Sequence, residues 1–62
     1  MITAGQRAGI VIGQTLDETT ATLGVPEFRD SDMLAYLRAD DGLVTYLTFT
    51  QGRLATIKED RV

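Results

Sequence analysis

The chain has 62 residues, nine of them acidic and six basic, for a net charge of −3. That is room for a single domain, residues 1–62, which on folding removes only about 60% of its unfolded surface from water. With neither cysteine nor histidine present, a disulfide staple, a structural zinc site and histidine- or cysteine-dependent catalysis are all excluded.

Residues 1–8 are small and polar and read as a loosely ordered start. The β-branched run Ile10-Val11-Ile12, set between Gly9 and Gly13, is too short for periodicity to separate an extended segment from a helical turn. The clearest local signal follows. Thr15-Leu16-Asp17-Glu18 has capping-box spacing, with acids where the helix dipole favours them, and predicts a helix over 16–23. Gly24 supplies its stop and Pro26 prevents continuation. The interior, Thr19-Thr20-Ala21-Thr22, has poor intrinsic propensity, so this helix depends on tertiary packing.

Residues 27–32 read as a charged connection. Beyond them the hydrophobic period becomes two, which predicts strands over 33–38, 43–50 and 53–59. Asp41-Gly42 and Gln51-Gly52 punctuate them as tight turns, giving an antiparallel meander. The expected fold class is α+β: one short helix on one face of a three-stranded sheet, preceded by a short extended segment or helical turn.

On the middle strand Leu43, Thr45, Leu47 and Phe49 form the natural core face, and Val44 and Tyr46 lie on the other. On the first strand both alternations, Met33/Ala35/Leu37 and Leu34/Tyr36/Arg38, contain apolar groups. A one-sided sheet would favour charge on its outer face. The expectation is therefore an outer patch of Tyr36, Val44 and Tyr46 with Arg38 at its edge, rimmed by Asp30 and Asp32. Tyrosine and arginine are enriched at binding hot spots. Cross-strand tyrosines also stabilise hairpins with no partner involved, and this alternative stays open.

The charge distribution bears on partners. Residues 17–41 hold seven acids against Arg29 and Arg38. No basic stripe exists for a phosphate backbone, so nucleic acid is not expected as a ligand. An acidic balance of this kind serves first to keep a small domain soluble; it also suits a basic protein partner. No segment approaches the ~20 apolar residues of a membrane span, and the N-terminus has neither a signal-type apolar run nor a lipid-anchor cysteine. The expected setting is the cytoplasm, with no membrane contact.

Catalysis is not expected. The sole serine, Ser31, has no histidine to activate it, and the sole lysine, Lys58, is flanked by Glu59 and Asp60 rather than an apolar pocket. The pairs Asp30/Asp32 and Asp40/Asp41 read as loop and turn residues. No cofactor or metal is implied.

The order Gly13-Gln14-Thr15, a short helix, Leu23-Gly24-Val25-Pro26, Tyr36-Leu37, Leu47-Thr48-Phe49 and Gly52-Arg53-Leu54, closed by Ile57, resembles the SmpA/OmlA-type module. Outer-membrane-assembly lipoproteins, the repeats of β-lactamase inhibitor protein and small immunity-type proteins share it in outline. The resemblance spans about residues 10–57. It implies a helix-and-meander fold whose sheet binds other proteins without catalysis. The lipid-anchoring cysteine and the aromatic-rich inhibitory loops of those relatives are absent, and only twelve residues stand where the module has a first helix. The functional expectation is an inhibitor or immunity-type protein of bacterial or phage origin that masks a partner's surface. The alternative is a structural subunit or homodimeric scaffold using the same face on itself.

Overall fold

The computed structural model describes residues 1–61. Two helices precede a continuous run of strands: α1 (Ala4–Ala8), α2 (Leu16–Leu23), β1 (Phe28–Arg29), β2 (Met33–Leu37), β3 (Leu43–Thr50) and β4 (Arg53–Arg61). The strands form one antiparallel sheet in the order β1-β2-β3-β4. The α+β meander thus has four strands rather than three. The added one, β1, is two residues long and lies in the segment expected to be a charged connection. Two residues are too few to carry a period, so only pairing with β2 reveals it.

The helix predicted over 16–23 is α2. The Thr15 hydroxyl accepts from the Glu18 backbone N–H, and the Thr15 N–H donates to Glu18 Oε1 at 2.9 Å. Its threonine-rich interior is accommodated by back-bonding: the Thr19 and Thr20 hydroxyls donate to the carbonyls of Thr15 and Leu16. Thr19 can therefore be fully buried without an unsatisfied hydroxyl. The helix stops at Gly24, whose φ of 80° and ψ of −154° form a backbone conformation open essentially to glycine alone.

The N-terminal segment, read from the sequence as a loose start, carries the short helix α1. Thr3-Ala4-Gly5-Gln6 is a second capping box and nucleates α1. Asp40 covers the same helix end by accepting from the Ala4 N–H at 3.0 Å. Ile2 continues the sheet beyond β2 as a parallel bridge to Arg38: its N–H donates to Leu37 O, and Ala39 N–H donates to its carbonyl. Its side chain is 1% exposed. The physical reason is that an isoleucine at a sheet edge can close a core too small to close itself.

The core consists of Ile2, Ile10, Leu23, Leu34, Tyr36, Leu47, Phe49 and Leu54, with Leu16 and Ile57 packed against it. In the run 10–12 only Ile10 is buried, while Val11 and Ile12 turn outward. Thr45, fully buried among these groups, donates its hydroxyl to Glu59 at 3.2 Å.

The β3–β4 turn is a two-residue hairpin, since Thr50 pairs with Arg53 and both Gln51 (φ 53°) and Gly52 (φ 79°) are left-handed. That geometry favours Asn-Gly over Gln-Gly. Gln51→Asn is expected to stabilise the fold by about 0.5 kcal/mol, raising Tm by about 2–4 °C in a thermal melt. An unchanged or lower Tm would contradict the turn assignment.

Candidate protein-binding surface

Cross-strand register decides which side chains share a face. Tyr36 lies opposite Thr45 and Leu34 opposite Leu47, and all four point into the core. Tyr36 is therefore a core residue, 0% exposed, and its hydroxyl donates to the Gly24 carbonyl at 2.6 Å. Its expected place on the outer patch is corrected. Burial also raises its pKa above the ordinary tyrosine value, with Glu27 adding to the effect.

Arg38 follows Tyr36 on the same inner side, and its place on the outer patch is likewise corrected. Its guanidinium bonds Glu59 and reaches Asp41 Oδ2 at 2.6 Å. Arg7 approaches the same Glu59 oxygen at 3.3 Å, so one carboxylate ties α1, the end of β2 and β4 together. Partly buried guanidinium–carboxylate clusters of this kind fasten elements together.

Asp30 and Asp32 stand in the β1–β2 turn. The Asp30 carboxylate accepts from the Ser31 N–H at 2.8 Å, and the Asp32 backbone carbonyl accepts from Phe49 N–H. They edge a cavity of about 190 Å³ floored by Leu16, Leu34 and Phe49. That volume is below the roughly 300 Å³ at which small-molecule pockets begin. Among the described residues no group of three or more carboxylates is placed to hold a metal ion, and no helix is long and apolar enough to cross a membrane.

Val44 and Tyr46 do lie on the outer face. In register, Phe28, Ala35, Tyr46 and Lys58 form one row across the four strands. Leu37, Val44 and Asp60 form the next, and Met33, Thr48 and Thr56 the row on the other side. Strands β1–β3 thus contribute Phe28, Met33, Leu37, Val44 and Tyr46 to one surface. Phe28 is 55% exposed, the other four are half-buried, and Ala35, between two aromatic positions, is nearly closed off from water. Helix α2 packs with the core on the other side of the sheet, through Leu23 and Leu16, and α1 lies against α2. An apolar, aromatic surface rimmed by polar residues is the composition of a protein interface centre.

Phe28, Met33 and Leu37 are the members of this surface that sequence reasoning missed. Phe28 sat inside the charged connection, where a lone exposed aromatic was the available signal. Met33 and Leu37 lie on the alternation of β2 opposite to Leu34 and Tyr36, and since both alternations are apolar the pattern alone does not single them out. No family model, curated protein or solved structure matches the chain.

Electrostatics act mainly on the scaffold. Hydrogen bonds from the Thr15 N–H and then its hydroxyl hold the Glu18 carboxyl below the ordinary glutamate value, and the Ala4 N–H does the same for Asp40. A carboxyl whose pKa is lower folded than unfolded adds stability that is complete above the unfolded value and lost as pH falls through the folded one. Tm is therefore expected to fall between about pH 5 and pH 3, with a shallower slope in Glu18→Gln. Identical slopes in the two proteins would show that the capping carboxylate does not contribute.

Proposed function

We propose that this chain is a non-catalytic protein-binding module of the inhibitor or immunity type, acting by covering a partner's functional surface with the outer face of its sheet. The observation that carries this reading is the shared outer face of Phe28, Met33, Leu37, Val44 and Tyr46, apolar where a one-sided sheet would favour charge. Aromatic side chains of the kind found at Phe28 and Tyr46 supply most of the energy at such interfaces. The carboxylates of Asp30 and Asp32, on the turn beside Met33, suit a partner with basic residues at its rim. Kinship with the SmpA/OmlA-type module is part of the proposal. The one-turn helix α1, standing before Gly13-Gln14-Thr15 where that module has its first helix, supports it.

The test is affinity capture with the wild-type chain and with Phe28→Ser/Tyr46→Ser, checking both for folded circular dichroism. Both positions are on the outer face, so the variant is expected to remain folded and lose its partner. A partner retained undiminished by the folded variant overturns the reading.

A further inference from the structure

The outer face has a second zone. Beside the apolar rows, β4 presents Thr56, Lys58 and Asp60, all exposed. Among the described residues neither Lys58 nor Asp60 forms an ion pair. They occupy adjacent same-face positions, about 7 Å apart along the strand. Lysine and aspartate in that arrangement at the margin of an apolar surface are complementary to a rotated copy of themselves.

A two-fold axis lying between two such faces and running across the strands sets each strand over its equivalent with direction reversed. When the axis falls between the Tyr46 row and the Val44 row, each row lies over the other. Lys58 then meets Asp60 of the partner subunit, and Asp60 meets Lys58 of the partner subunit. In the apolar zone Tyr46 lies over Val44 of the partner subunit and Ala35 over Leu37 of the partner subunit, large against small, as interdigitating sheets require. An axis along the strands would instead set Phe28 over the charged zone and bury a lysine unpaired.

We propose that in the free chain this face is occupied by a second copy, in a two-fold dimer of sheets packed face to face and closed on the β4 side by reciprocal Lys58–Asp60 pairs, which the partner of the proposed function must displace. This rests on the outer face being a binding surface, and it names the occupant. Joining the two copies edge to edge through β4 is disfavoured. With Lys58 opposite Asp60 in that pairing, Glu59 would lie opposite Glu59 of the partner subunit, and the run Lys58-Glu59-Asp60-Arg61 has the charges that keep edge strands from pairing.

Sedimentation of the purified chain across the micromolar range tests the proposal. A monomer–dimer equilibrium is expected, weakening as salt is added. Lys58→Asp and Asp60→Lys, made separately, should each weaken association about tenfold by setting like charges together. The exchange Lys58→Asp/Asp60→Lys should restore it, and mixing the two single variants should give a heterodimer. The proposal is overturned by a chain monomeric throughout, by single reversals without effect, or by an exchange that fails to rescue. A dimer indifferent to the folded Phe28→Ser/Tyr46→Ser variant would be joined elsewhere, and overturns it too. A monomer that still captures another protein through Phe28 and Tyr46 would refute the dimer and leave the binding function standing.

Discussion

Tyr36→Ser should remove most or all of the domain's stability, while Tyr46→Ser leaves it folded. The two tyrosines stand on adjacent strands, but Tyr36 is 0% exposed in the centre of the core and Tyr46 is on the outer face. Truncating a buried aromatic costs about 3–5 kcal/mol through lost transfer energy and the cavity left behind. A chain of this length has a total stability of roughly 3–9 kcal/mol. At Tyr36 the loss also removes the hydrogen bond that the tyrosine hydroxyl donates to the Gly24 carbonyl, where the α2 stop meets the sheet. Tyr36→Phe separates the two parts: the ring stays, and the missing hydrogen bond costs about 1–2 kcal/mol. Urea titration with circular dichroism measures all three variants. A stable, folded Tyr36→Ser protein would mean that β2 presents its other face to the core.

Tyr36 gives a further readout at high pH. Its raised pKa means that the folded state favours the neutral ring. The associated stability is complete below the unfolded tyrosine value of about 10 and is lost as pH rises through the folded one. Tyr36→Phe should remove that share of the alkaline loss.

Ile2→Ala should cost about 2–4 kcal/mol, a loss out of proportion to a position so near the start of the chain. Ile2 is 1% exposed, and its main chain is bonded on both sides, to Leu37 and Ala39. The matched control is Ile12→Ala, on a side chain 57% exposed, expected within about 0.5 kcal/mol of wild type. Chemical denaturation of the two variants makes the comparison. Equal effects would show that the segment before α1 is not part of the core.

Much of the fold was legible because its signals are local. The Thr15–Glu18 capping box, the Gly24 stop and the two glycine-bearing turns each depend on residues a few positions apart, and they bounded α2 and the three longer strands closely. The same grammar was present in Thr3-Ala4-Gly5-Gln6, where a five-residue helix is too short to show a hydrophobic period. The outer face was legible only in part. Val44 and Tyr46 follow from the pattern of β3, whose core face is clear. On β2 both alternations are apolar, so the pattern itself offers no choice between Tyr36 and its neighbours.

The sequence by itself determined an α+β domain, the limits of its main helix and strands, and the absence of the side chains that histidine or cysteine chemistry requires. Tertiary structure alone decided that Tyr36 faces inward, that Phe28 forms an edge strand, and that Ile2 completes the core. Those choices rest on cross-strand register and on contacts between distant residues. A one-residue slip in register exchanges the two faces of a strand while leaving every local signal unchanged.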